Sequence, residues 1–251
     1  MGRRHCFGLA IPLLLLTCSN ARAQFPEKFT NLKILPKDIS SRELQSTMRG
    51  FAFALGVRCE HCHVEKKAPE KGFDYAADDK EAKKTARVML RMVESINGDY
   101  VSKIEKADHA LPIRVQCVTC HHGLTQPQPL NDALAASLDK DGLEKTLALY
   151  ADLRAKYYGS GQYDFGETPL NLLTESLLAK RKNAEALAFM ELNFSANHPD
   201  SVWSYHMLAM SHQANGKIEQ AIADYRKVAE LHPEDSWAKQ QIDVLSKPKQ
   251  P

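Results

Sequence analysis

Two pentapeptides hold the residues of this 251-residue chain that could do chemistry. Cys59-Glu60-His61-Cys62-His63 and Cys117-Val118-Thr119-Cys120-His121 share the pattern C-x-x-C-H. With two residues between them, two thiols can reach both vinyl groups of one porphyrin from a single turn of backbone. The residue after the second Cys then stands below the iron, where His offers its imidazole Nε2. The pattern reads as c-type haem attachment. Cys59, Cys62, Cys117 and Cys120 are therefore the expected covalent anchors, His63 and His121 the expected proximal ligands, and two covalently bound haem c groups the expected cofactors. A zinc ribbon spaces its C-x-x-C pairs by about 15–20 residues. Here Cys62 and Cys117 lie 55 apart, and both pairs carry the extra His. A thioredoxin-like motif needs a βαβ pattern, which the surrounding sequence lacks.

The distal ligand is less constrained: Met, His, water or an open position are all compatible with the motif. Met48, Met89 and Met92 lie on apolar stripes at helical spacing, where a Met is core filler more often than a ligand. His61, His109 and His122 are the other candidates. His61 sits between the two anchors, an awkward place from which to reach over a ring, and His122 directly follows a proximal His.

Haem attachment of this kind implies export, and the N-terminus agrees. Arg3 and Arg4, an apolar run from Leu9 to Leu16 and Ala21-Arg22-Ala23 before Gln24 form a secretory signal peptide over residues 1–23. Its apolar run is too short to span a bilayer. Leu15-Leu16-Thr17-Cys18 is a weaker, lipobox-like alternative that would anchor the chain through Cys18. Of the six cysteines, Cys6 and Cys18 fall in the leader, so all four mature ones are used by the two motifs. Loss of Arg3, Arg4 and Arg22 from the 33 basic residues leaves 30 against 31 acidic ones, which argues against a nucleic-acid partner. A periplasmic or otherwise exported protein is expected.

The elements that must position the motifs are helices. Ser40-Ser41-Arg42-Glu43 is a capping-box start, and Leu44, Met48, Phe51, Ala52 and Leu55 follow at helical spacing until Gly56. Residues 64–79 read as a polar loop. Asp78 or Asp79 is expected to cap a second helix, with Met89, Met92, Val93 and Ile96 on its stripe and Asn97-Gly98 as its stop. A haem module over residues 24–126 thus repeats the unit of helix then C-x-x-C-H. Gln126-Pro127-Gln128-Pro129 suggests a linker over 127–142.

Residues 143–247 turn helical and contain no Cys. His198-Pro199-Asp200-Ser201 recurs as His232-Pro233-Glu234-Asp235, and Trp203 as Trp237. The period of 34 is that of tetratricopeptide repeats. It places Tyr205, Leu208, Ala209, Ala221 and Tyr225 at packing positions, with His212 where a Tyr is usual and Val228 where an Ala is usual. The preceding repeat fits only after a one-residue shift that sets Ala186 opposite Ala221. Residues 143–157 read as a further helix, and 236–246 as a capping helix with Trp237, Gln241, Val244 and Leu245 facing inward. The fold class expected is mainly α: a two-haem c-type cytochrome module followed by a tetratricopeptide-like domain.

Residues 30–126 resemble the photosynthetic reaction-centre cytochrome c subunit family. The likeness is carried by Asn31-Leu32-Lys33-Ile34-Leu35, Leu44-Gln45-Ser46-Thr47-Met48, Cys59 to His63, Ala86-Arg87-Val88-Met89-Leu90-Arg91-Met92 with Ile96-Asn97, and Val118-Thr119-Cys120-His121-His122-Gly123. In that family each such haem takes its axial Met from the helix preceding its C-x-x-C-H. The resemblance therefore implies Met48 for the first haem and Met89 for the second. The family's full subunit holds four haems, whereas this chain has motifs for two. The His that serves a distant haem in the family has no counterpart in Tyr100-Val101-Ser102-Lys103, as suits a free-standing two-haem module. The function expected is electron transfer between redox proteins in the periplasm or at a membrane surface, with the repeats docking a protein partner. The alternatives are a haem enzyme such as a dihaem peroxidase, which needs an open iron position, and a haem-bearing sensor or scaffold.

Overall fold

A computed structural model describes residues 28–104 and 113–247. The signal peptide, Cys18 and His109 lie outside them. The chain divides into two compact units, one of residues 28–50 with 58–104 and the other of 51–57 with 113–247.

Helix α1 spans Ser41–Leu55, with residues 41–50 in the first unit and 51–55 in the second. The capping box closes in both directions. Ser40 Oγ accepts from the Glu43 amide at 3.2 Å, and Glu43 Oε2 accepts from the Ser40 amide at 3.1 Å, so two otherwise orphaned donors are satisfied. Helix α2 spans Glu81–Ser95, and its N-cap is Lys80, with no side-chain cap. The expected cap fails because Asp78 is already taken. Its carboxylate binds Arg87 at 2.8 Å, Lys33 at 2.8 Å, Asn31 at 2.9 Å and Lys83 at 3.3 Å. This hub ties the segment around Asn31 to the start of α2. The Arg87 guanidinium, then Lys33 and Asn31, hold the Asp78 carboxyl far below the usual carboxylate range.

Two further expectations change here. The loop after the first motif contains a short antiparallel ladder, β1 Val64–Glu65 against β2 Phe73–Asp74, with Val64 opposite Asp74. Asn97-Gly98 does not stop the helix. The Asn97 side-chain Nδ2 donates to the Val93 carbonyl at 2.9 Å, which takes up an acceptor of the regular ladder, and the chain continues as a π turn over Ile96–Tyr100.

The second unit holds α3 Cys117–His121, α4 Leu130–Asp141, α5 Leu143–Tyr157, α6 Glu167–Ala179, α7 Asn183–Asn197, α8 Val202–Ala214, α9 Ile218–Leu231 and α10 Ser236–Leu245. The stretch read as a linker contains α4. Leu130, Leu134 and Leu138 recur every fourth residue along it and are buried in a cluster with Tyr150, Phe165, Leu170, Leu173 and Phe189. Gln-Pro punctuation marks only the approach to this helix, whose N-cap is Pro129.

Helices α6 with α7, and α8 with α9, form successive hairpins, and α10 packs on α9. The starts of α6 and α8, Glu167 and Val202, and of α7 and α9, Asn183 and Ile218, are 35 residues apart, which is the shifted register. Ala186, Ala209, Ala221, Tyr225 and Val228 are fully buried, so the tail is a tetratricopeptide-like helical array. His212, at the Tyr position, pairs its Nδ1 with Asp224 Oδ2 at 2.7 Å. Asn171, Asn193 and Ser204 join α6, α7 and α8 through buried side-chain hydrogen bonds of 2.8 and 2.9 Å. The inward face of α10 differs from expectation. Ala238 is buried and Ile242 and Leu245 pack beside it, whereas Trp237 and Val244 are exposed. Trp237 instead lays its ring against Tyr225 and His206.

Candidate haem-binding sites

In the first motif Cys59–His61 form a 3₁₀ turn led in by Arg58 in extended conformation. The amides of Cys62 and His63 donate to the Cys59 carbonyl at 3.2 and 2.9 Å. This winding sets Cys59 and Cys62 three residues apart on one edge, with His63 directly after them. Cys59 is exposed, and Cys62 and His63 are half-buried. The His63 Nδ1 is buried without a hydrogen-bond partner. Its ring meets the edge of Tyr75, with centroids 5.1 Å apart. Burial, and after it the Lys83 ammonium, lowers the His63 pKa, against the pull of Asp74. Both causes favour the neutral imidazole, the form that can ligate a metal.

The loop behind His63 is wound around one cation. Lys83 Nζ donates to the carbonyls of Tyr75 at 2.8 Å, Ala76 at 3.2 Å and Ala77 at 2.6 Å, with its side chain only 12% exposed. Asp74 Oδ1 accepts from the amides of Ala76 and Ala77 at 3.0 and 2.9 Å. These residues were not legible as part of a site. Asp74-x-x-Ala77 is a common turn pattern, and nothing in the sequence pairs Lys83 with Tyr75.

The second motif is helical. Gln116 and Thr119 cap α3 reciprocally, the Gln116 amide donating to Thr119 Oγ1 at 3.0 Å, so one variable position of the motif secures the turn's own start. Burial raises the thiol pKa of Cys117, as it does for Cys62, while Cys120 is exposed. His121 is buried, and its Nδ1 lies 2.7 Å from the Leu124 carbonyl. A carbonyl only accepts, so Nδ1 carries the proton and Nε2 keeps its lone pair. Leu124 reaches this place because His122 and Gly123 both take left-handed backbone, φ 47° and 87°. The Gly123 amide donates to the Ala54 carbonyl at the end of α1 at 2.9 Å. A Cβ on Gly56, itself at φ 64°, would stand 2.2 Å from the Gly123 oxygen. Both glycines are thus required where the end of α1 meets the turn after the second motif.

Met48 lies on α1 and Met89 on α2, both half-buried. Helix α2 has a pronounced apolar stripe yet no buried residue; Val88 and Met92 on it are 64% and 45% exposed. His61 and His122 are exposed. The donor sets fit haem chemically. Each motif presents two thiols and a following imidazole within one turn, His121 has the tautomer a proximal ligand needs, and the buried, unpartnered His63 ring nitrogen belongs to an imidazole with no structural hydrogen bond to serve. Among the described residues no group of three or more His, Cys, Asp or Glu is arranged to hold a bare metal ion.

Two thiols and an imidazole within a single turn are the signature of the c-type cytochromes. The model of the photosynthetic reaction centre cytochrome C subunit family matches residues 12–155, more than half of the sequence, and the chain belongs to that family. Membership makes it a haem-binding c-type cytochrome of electron transfer, with redox proteins as its partners. The match extends past the second motif through α4 and most of α5. No curated protein matches the chain. Among solved structures, the second TPR domain of the human RPAP3 protein, in complex with the HSP70 peptide SGPTIEEVD, is similar at 14% identity over 47% of this chain and 93% of that one, with a TM-score of 0.34. The repeat character of the tail rests on its own helix pairing and not on that likeness.

Proposed function

We propose that the chain is a two-haem electron carrier that works outside the cytoplasm. The observation that carries this reading is the duplication of a complete attachment turn: Cys59, Cys62 and His63 in one, Cys117, Cys120 and His121 in the other. In each turn the cysteines would hold the ring and the His would offer Nε2 to the iron. Met48 and Met89 would supply the distal thioethers. When bound, haem c provides a one-electron couple between ferric and ferrous iron, and Met ligation raises its potential. Side chains on both faces of each ring would favour electron exchange over substrate turnover. The mature chain starts near Gln24 after export. The helical array, from α4 onward, presents its hairpins to a protein partner and keeps the carrier beside it.

The exported protein should give a c-type α-band on reduction and close to two haems per chain in a pyridine haemochrome assay. One haem, or none, overturns the reading. Met48→Ala and Met89→Ala should each remove half of the far-red Met–iron charge-transfer absorbance of the oxidised protein. If the absorbance survives both changes, the distal assignments are wrong.

A further inference from the structure

We infer that the two haem sites are held at different potentials by what their proximal imidazoles touch, the Cys59–His63 site above the Cys117–His121 site. The inference rests on the two-haem reading and concerns the residues behind each His.

The His121 Nδ1–H donates to the Leu124 carbonyl at 2.7 Å, a short bond in a buried place. Such a bond pushes charge onto the ring and makes Nε2 a stronger donor. A stronger donor favours the ferric over the ferrous state and lowers the potential. His63 has no such bond; its Nδ1 is buried and unpartnered. Its imidazole is accordingly the weaker donor.

A second feature acts in the same direction. The Lys83 ammonium is held by the carbonyls of Tyr75, Ala76 and Ala77, and the Tyr75 ring lies against that of His63. The ferric site carries one more positive charge than the ferrous site, so a fixed cation behind His63 disfavours oxidation. Lys83 is shielded from solvent, which limits screening of its charge. Two carboxylates oppose it in part: Asp74, whose Oδ1 is committed to the amides of Ala76 and Ala77, and Asp78, 3.3 Å from Lys83 Nζ but shared with Arg87 and Lys33, so that the cluster keeps a net positive charge. Behind His121 the group in contact is a neutral carbonyl. Lys83 and the Leu124 carbonyl are thus positioning groups for potential, acting through the ligands and touching no substrate.

The test is a spectroelectrochemical titration of the full-length holoprotein. It should resolve two one-electron waves, with the half-reduced protein favouring one site at least tenfold, a separation of about 59 mV. Lys83→Met should move the upper wave down, reduce that preference several-fold and leave the lower wave in place; Lys83→Arg should restore the separation. Should Lys83→Met fail to accumulate, Asp74→Asn retains an acceptor oxygen for both amides and should move the upper wave up. Two haems titrating as one unsplit wave, or a Lys83 or Asp74 change that moves the lower wave, overturn the inference alone. A chain with a single haem overturns the two-haem reading together with it.

Discussion

The two units of the molecule are held together in different ways. In the second, Leu134, Leu170, Phe189, Met190, Tyr225 and Val228 are each fully buried, and two apolar clusters run through the helices. In the first, Leu44 is the one buried hydrophobic side chain among the described residues, and α2 buries none. What joins that unit is polar: the Asp78 hub, the carbonyls around Lys83 and the two-residue ladder. Yet α2 is strongly amphipathic, with Val88, Met89, Met92 and Val93 along its sequence. Apolar residues on a helix stay there because something covers them. The helical array buries an apolar core of its own, whereas the described residues of the first unit do not, as suits part of a chain from a haem-binding family.

This contrast can be broken most severely by blocking attachment. Cys59→Ala with Cys62→Ala should strip hydrogen-exchange protection from the amides of α2 while those of α6 to α9 keep theirs. Equal protection before and after would mean that the first unit has a sufficient protein core. The complementary change is Leu134→Ala in α4. Removing a side chain with no exposed surface should cost about 2–5 kcal/mol in denaturant unfolding of the array. A loss below about 1 kcal/mol, typical of surface positions, would show that α4 is peripheral after all.

The smallest effect expected is on acid stability, where the units should differ in sign. The Asp78 carboxyl is depressed by Arg87, Lys33 and Asn31, so its contribution is complete above the ordinary carboxylate pKa and is lost as pH falls below it. Asp224 behaves oppositely, because burial raises its pKa more than His212 lowers it. The folded array then binds the proton more readily than the unfolded chain, and that contribution falls as pH rises from the ordinary carboxylate value. Exchange protection measured between about pH 3 and pH 6, a window spanning the ordinary carboxylate values, should drop in α2 toward acid, and Asp78→Asn should flatten the drop. Asp224→Asn should flatten the opposite trend in α8 and α9. Parallel acid trends in both units would remove this distinction.

Much of the fold was legible because it is local or periodic. The Ser40–Glu43 box reads as a helix start from four residues, and α5 was expected over the span it occupies, 143–157. The repeat register followed from His-Pro echoes and one shifted Ala. The misreadings share a cause. Asp78 looked like a cap until Arg87 and Lys33, far off in sequence, competed for its oxygens. Residues 127–142 looked like a linker because two prolines outweighed Leu130, Leu134 and Leu138, whose face has meaning only beside Leu170 and Phe189. Trp237 looked inward because its echo is aromatic; its ring does reach Tyr225 and His206, yet 40% of the residue stays exposed.

By itself the sequence pointed to the chemistry: two cysteines and a following His within one turn form only locally, so the spacing alone marks a candidate attachment unit, and the pattern occurs twice. The tertiary structure decided what each His touches. Whether an imidazole Nδ1 meets a carbonyl or nothing depends on the left-handed turn at His122 and Gly123, and on a loop wound around Lys83 from a different helix. Those contacts join residues by backbone geometry and charge, which leave no pattern of spacing to read.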